Sequence, residues 1–141
     1  MADHKKNYIL DASVILKWFL PEENDAEKAI ALGEDFTKKI FQAIIPEHCY
    51  YEVLNIINIK APELTIPAFS YLLAMQMLEQ RLNPQIATIA SEIMQSIPKT
   101  PFYDAAYHAT AIHHKGTYIT DDEGYYKKAR KLKHIKLLQN Y

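Results

Sequence analysis

Four acidic residues of this chain stand where an apolar run ends or turns: Asp11 in YILDASV, Glu52 in YYEVLN, Asp104 in FYDAAY and Asp122 in YITDDEG. A carboxylate in such a setting loses hydration, which is costly unless it is paired or binds a metal. Four of them, spread over more than a hundred positions, imply a fold that gathers them around a cation. No set of His and Cys at ligand spacing accompanies them. Oxygen-only ligands favour Mg²⁺ or Mn²⁺ over Zn²⁺. A hard cation held this way is the equipment of a phosphodiester-cleaving site.

Such residues need elements to position them. NYIL is a strand candidate ending at Asp11, and SVILKWFL behind it is helical in length and stopped by Pro21. Asn24 with Glu27 resembles a capping box for a helix through about Ile40. AII before Pro46 predicts a second strand, and EHCYYEVLNIINI a helix with Cys49, Val53, Ile56 and Ile57 on one face. Pro62 interrupts, and Thr65 or Pro67 restarts a helix to about Gln80. Asn83-Pro84 is an N-cap and N1 pair for NPQIATIASEIMQS, and PFYDAAYHATAIHHKG is a helix with Gly116 at C′. TYIT, DEGYYKKARKL and IKLL predict a strand, a helix and a last strand.

Strands separated by helical segments predict an α/β fold with a mainly parallel sheet covered on both faces. In open sheets of this kind the functional crevice lies at the carboxyl ends of the strands. Asp11 and Asp122 fall at or just beyond such ends, and Glu52 and Asp104 come from helices that can line the crevice. With only three glycines and no GxGxxG or GxxxxGK[ST], dinucleotide and P-loop readings are weak.

The length of 141 residues fits a single domain over 1–141, and 49% apolar with 23% charged residues excludes disorder. No apolar run reaches the roughly 18 residues that span a bilayer, and MADHKKNY is followed by no h-region with a cleavage site. The expectation is a soluble cytoplasmic protein with no membrane partner. The single Cys49 agrees with a reducing compartment and reads as a small core residue. His113 and His114 read as surface residues at a helix end, and Trp18 as core or a dimer contact. Ten tyrosines read mainly as core or boundary packing, with some available to stack on bases.

Charge is uneven. Residues 124–141 hold six basic residues and no acid, leaving ten basic against 17 acidic residues before them. If DEGYYKKARKL is one helix, Lys127, Arg130 and Lys131 share a face that can contact RNA phosphates, and Lys128 points elsewhere. The plainer reading of that run is a solvated face.

The order of these pieces resembles the PIN-domain ribonucleases, most closely the VapC-type toxins of toxin–antitoxin pairs. The resemblance runs nearly end to end, through YILDASVILKWFLPEE, YYEVLNII, FYDAAYHATA and YITDDEGYYKKARKL. It implies a three-layer α/β fold with a central mainly parallel sheet. It also implies that Asp11, Glu52, Asp104 and Asp122 are catalytic and hold the metal, with Ser13, Asn55 and Thr120 supporting them. The [ST]xD spacing from Thr120 selects Asp122, with Asp121 as its neighbouring rival. His108 stands where the family pattern is usually apolar. It reads as a partly exposed structural histidine able to bond Asp104 one turn earlier.

The activity implied is a Mg²⁺- or Mn²⁺-dependent endoribonuclease acting on structured RNA. The partners implied are a cognate antitoxin and a second copy of the chain. Two other readings remain open on sequence alone. One is a catalytically idle PIN-like module that binds RNA or protein. The other is a receiver-type phosphate-accepting domain, which would want an early acidic pair where YILDASV offers one Asp. Asp122 also admits a plain role as a helix N-cap.

Overall fold

The computed structural model describes residues 5–20 and 24–141. Its five strands are β1 (Lys6–Leu10), β2 (Phe41–Pro46), β3 (Leu78–Gln80), β4 (Thr117–Thr120) and β5 (Ile135–Leu137). They form one sheet in the order β3-β2-β1-β4-β5, every neighbouring pair parallel. The helices are α1 (Ala12–Phe19), α2 (Ala26–Thr37), α3 (His48–Lys60), α4 (Thr65–Met75), α5 (Pro84–Ser96), α6 (Phe102–His113) and α7 (Glu123–Ala129). The expected α/β class with a parallel sheet flanked by helices is what the chain adopts.

Strand order explains where a site can form. From β1 to β2 to β3 the chain steps one way across the sheet, whereas β4 to β5 steps the other. Right-handed crossovers then place α1 to α4 on one face and α5 to α7 on the opposite face. Beyond the ends of the adjacent strands β1 and β4 the chain leaves in opposite directions, which opens a crevice at that switch point. Asp11 directly follows β1, and Asp121 and Asp122 directly follow β4. A backbone bond from Asp11 N to Ile119 O (3.1 Å) ties the two strand ends together.

The central strands are fully covered, with Ile9, Leu10, Ile44, Ile45 and Ile119 all buried. Each such side chain contributes about 1.5–3 kcal/mol by burial. From α3, Cys49, Val53 and Ile57 enter this core, while Ile56 stays only partly covered. Trp18 lies across α2, its Nε1 donating to Ala29 O at 2.7 Å. A smaller cluster of Ile86, Ala90, Ile93, Ala105 and Ala109 holds α5 on α6. No helix among the described residues is long and apolar enough to cross a membrane.

Several sequence expectations are corrected at element ends. The predicted stop at Pro21 lies outside the described residues; α1 ends at Phe19. No capping box forms at Asn24. Asp25 is the N-cap of α2, with φ 61° and no side-chain cap bond. The same helix ends at Thr37 because Lys39 takes a left-handed φ of 60°. Lys39 N then bonds Phe36 O and Ile40 N bonds Asp35 O, the paired closure of a Schellman turn.

The α4 helix stops at Met75, where Gln76 has φ 55°, and Leu78–Gln80 becomes an edge strand on β2 instead of a helical end. Three residues without a β-branched side chain carry almost no strand signal. At the start of α5 the expectation holds: Asn83 Oδ1 accepts from Ile86 N at 2.8 Å.

The end of α6 assigns its glycine differently from the sequence reading. Lys115, with φ 53°, is the C′ residue, and Gly116 N bonds Ala111 O one position later. Gly116 is needed for close approach: a Cβ there would lie 2.3 Å from Asn7 O, a backbone atom of β1. Gly116→Ala should therefore lower stability by about 1–3 kcal/mol, as overpacking does. Urea denaturation at constant slope measures this, and a midpoint equal to wild type would contradict the contact.

Candidate active site

Asp11 owes its setting to the hydroxyls around it. Its Oδ2 accepts from Thr120 Oγ1 (2.6 Å), Tyr118 OH (2.9 Å) and Ser13 Oγ (3.1 Å). Burial lifts its carboxyl above the ordinary range, and these hydrogen bonds offset only part of the lift. Two of the hydroxyls are used twice. Ser13 Oγ accepts from Asp121 N at 3.3 Å, and Thr120 Oγ1 accepts from Asp122 N at 3.1 Å. The loop after β4 is thereby fastened to the carboxylate after β1.

Glu52 projects from the second turn of α3, one turn beyond His48. His48 Nε2 lies 3.3 Å from Glu52 Oε1. Its hydrogen, however, goes to Tyr103 O at 3.0 Å, so the contact with Glu52 is not a bond. Glu52 Oε1 and Tyr107 OH are buried side-chain atoms that meet no partner at hydrogen-bond geometry among the described residues, although the Tyr107 hydroxyl is near enough to Glu52 to offset a little of the rise in its pKa. Desolvation, then the charges of Asp11 and Asp104, push the Glu52 carboxyl up to about 7. Desolvation likewise lifts Asp104, helped by Asp11 and Asp122. Through these repulsions all four acids are electrostatic neighbours.

The two acids after β4 diverge. Asp121 Oδ2 pairs at 3.0 Å with Nζ of Lys17, a buried lysine of α1 that is 2% exposed. Asp122 Oδ1 accepts from Tyr125 N at 2.9 Å and caps α7, while its charge acts on Asp104. Lys17 was missed by the sequence reading. Its signal was present: it is the one charged residue inside the apolar run SVILKWFL.

Other residues fall differently from expectation. Asn55 is exposed on α3. His108 is fully buried, not partly exposed, and its partners are not Asp104. Its Nε2 donates to Lys133 O and its Nδ1 accepts from Tyr125 OH, both at 2.7 Å. That arrangement needs a neutral ring, in keeping with its lowered pKa from burial. His114, expected at the surface, is half-buried and bonds Gln80 Oε1 at 2.6 Å, whereas His113 is exposed. Helix α7 ends at Ala129, so Arg130 and Lys131 sit on a 3₁₀ turn and do not extend a common α-helical face with Lys127. Lys128, expected to point elsewhere, lines a cavity with Asp104 and Asp122.

Among the described residues, no three His, Cys, Asp or Glu side chains already stand as a metal-holding cluster. The donor set nevertheless fits a hard divalent cation. It is all oxygen, its charges repel one another, and two orphaned buried polar atoms lie in its midst. Asp11, Glu52, Asp104 and Asp122 are the residues that would hold the ion.

Two measurements follow from this arrangement. Glu52 is raised from 4.5 to about 7, so between those values the folded state binds more protons than the unfolded state. Stability without metal should therefore fall as pH rises through that window. Glu52→Gln should flatten the fall, and thermal melts in EDTA across pH 4–8 would reveal a slope unaffected by Glu52 if this is wrong. Separately, Asp121→Asn leaves the buried Lys17 cation without its partner. It should cost about 2–3 kcal/mol, less than a fully buried pair because Asp121 is 31% exposed. Asp122→Asn should cost less stability, since a neutral Asn still caps α7. Parallel denaturation curves of the two variants check that ranking.

Similarity to known proteins agrees with this geometry. No curated protein matches the chain at a significant level. A toxin–antitoxin complex from Klebsiella pneumoniae superposes with a TM-score of 0.68 at 16% identity, covering 93% of this chain and 97% of that one. VapBC2 from Rickettsia felis, bound to a promoter DNA fragment, gives 0.68 at 12% identity, covering 93% and 96%. Mycobacterium tuberculosis VapC20, described as a sarcin–ricin-loop-cleaving toxin, gives 0.63 at 12% identity, covering 78% and 85%. At such identities these likenesses speak for the fold. Residues 8–131 match the PIN domain, and the chain belongs to that family.

Proposed function

We propose that this protein is a metal-dependent endoribonuclease, the toxin of a type II toxin–antitoxin pair, acting on structured RNA in the cytoplasm. The observation that carries this reading is the group of mutually repelling carboxylates at the β1/β4 switch point, with Glu52 Oε1 buried and unbonded among them. Such an arrangement is costly to folding and gains its compensation when a cation binds. Family membership and similarity to toxin–antitoxin complexes support the biological role, and the cleaving toxin among the similar structures supports RNA as substrate. PIN membership also displaces the receiver-type alternative.

When bound, Mg²⁺ or Mn²⁺ would neutralise the scissile phosphate and lower the pKa of a coordinated water. The chain's own residues supply the rest. Asp11 is held at Oδ2 by Ser13, Tyr118 and Thr120, which restricts its rotamer and leaves Oδ1 outside those three bonds. Glu52 is placed to take up a proton at Oε1, an oxygen that no described donor occupies. Asp104 and Asp122 add charge from α6 and the start of α7. Asp121 serves the framework through Lys17. A homodimer and an antitoxin complete the assembly in this reading.

RNA cleavage should require Mg²⁺ or Mn²⁺ and stop in EDTA. Asp11→Asn and Asp104→Asn should each slow it by about 10²–10⁴-fold with the fold intact, because charge is removed at constant volume. Asp122→Asn should slow it far more than Asp121→Asn once folding is matched. Gel assays on total RNA, paired with circular dichroism, test all four. Full cleavage in EDTA, or by folded Asp11→Asn, would sink the metal-ribonuclease reading.

A further inference from the structure

Asp104 and Asp122 also form part of the wall of a cavity of about 260 Å³, bounded by the loop before α6 and by α7. Two lysines line the same space: Lys99 from the loop and Lys128 from α7. Among the described residues, neither forms an ion pair with a carboxylate within 4.0 Å. Lys17, which is buried, closes onto Asp121 at 3.0 Å, whereas Lys99 and Lys128 are exposed, with their ammonium groups open to solvent and to a ligand. Lys99 and Lys128 share a cavity with two acids and leave them free.

Charge accounting then defines what fits. A divalent cation held by all four acids would still leave two negative charges there, which would repel an incoming phosphodiester. Two ammonium groups lining the same space balance that excess and offer donors to a phosphate adjoining the metal-bound group. Thr100 adds a polar wall and Gly124 leaves its side of the cavity bare of side chain. Lysines contact phosphate as point charges and read no base edge. Resting on the ribonuclease reading above, we propose that Lys99 and Lys128 form a phosphate subsite for the RNA backbone. It takes the phosphodiester next to the one that is cleaved.

The test uses Lys99→Gln/Lys128→Gln and Lys128→Gln alone, with Lys128→Arg as the conservative control. Binding of a fluorescein-labelled single-stranded oligoribonucleotide of roughly a dozen nucleotides is followed by anisotropy across KCl, with Ca²⁺ replacing Mg²⁺. Removing one lysine–phosphate interaction with a single strand lowers the log–log salt slope by about 0.7. The double variant should therefore fall by about 1.4 and Lys128→Gln by about 0.7. Lys128→Arg should keep the wild-type slope. In cleavage of total RNA with Mg²⁺, KM should rise about tenfold in the double variant, with kcat within about threefold of wild type.

Unchanged slopes and KM in folded variants, beside a wild type that binds and cleaves RNA, overturn the subsite alone. A fall in kcat with an unchanged slope overturns it too, since that places the lysines at the reacting centre. A wild type that neither binds nor cleaves RNA overturns the ribonuclease reading and the subsite with it. Lys99 has φ 67°, so if the double variant fails to fold, the exposed Lys128→Gln decides through its own slope.

Discussion

One carboxylate oxygen organises the site. Oδ2 of Asp11 collects three hydroxyl donors, from α1 and from alternate residues of β4. Two of those hydroxyls turn their lone pairs to the backbone N–H groups of Asp121 and Asp122. A hydroxyl can donate once and accept twice, so Ser13 and Thr120 act as relays between a buried charge and a loop. The position of Asp122 is consequently not free to drift from Asp11, although the two are far apart in sequence. That coupling depends on the parallel register of β1 and β4, which puts Leu10 opposite Ile119.

Repulsion is the opposite side of the same arrangement. Burial lifts Asp11, and burial with the charges of neighbouring acids lifts Glu52 and Asp104, so the fold keeps an electrostatic cost that its hydrogen bonds offset only in part. The available cations are directed elsewhere. Lys17 is committed to Asp121, and His48 is depressed by burial and donates to Tyr103 O. His48 does lie 3.3 Å from Glu52 Oε1, but burial disfavours its charged form and its hydrogen is given to Tyr103 O, so it does not neutralise that carboxylate. Leaving Oε1 bare is the arrangement expected where strain at a functional site is balanced by ligand binding.

The sequence carried the α/β class and marked the acids as candidates, because both depend on local signals: apolar runs, and charged residues where those runs end. What it did not carry was settled by distant partners. Strand β3 exists because Ile44 to Pro46 offers it an edge, not because LEQ prefers extension. His108 looked like a partner for Asp104 from helical spacing, yet Tyr125 and the Lys133 carbonyl, from α7 and the loop after it, claim both ring nitrogens. Lys128 was placed away from the site on the assumption that α7 continues through Leu132. The helix ends three residues earlier, which breaks the face expected of Lys127, Arg130 and Lys131, while Lys128 follows Gly124 and Tyr125 along the face that lines the cavity with Asp122. Glycine scarcity misled the capping assignments as well. With three glycines in all, lysines at 39 and 115 take left-handed φ, and Gly116 is reserved for its contact with Asn7.

The loop after β4 therefore divides two tasks between adjacent acids. Extended backbone at Asp122 (φ −83°, ψ 94°) turns successive side chains to different sides, so Asp121 and Asp122 cannot both face the same place. Asp121 meets α1 through Lys17, on the side that β1 and β2 lead into. Asp122 caps α7 on the other side and adds its charge to Asp104. Capping occupies only Oδ1 with a backbone donor, so a structural role and a charge facing the crevice coexist in one carboxylate. The N-cap and metal-site readings of Asp122 are thus compatible, and the pair before α7 is the joint where the two helical layers meet the crevice.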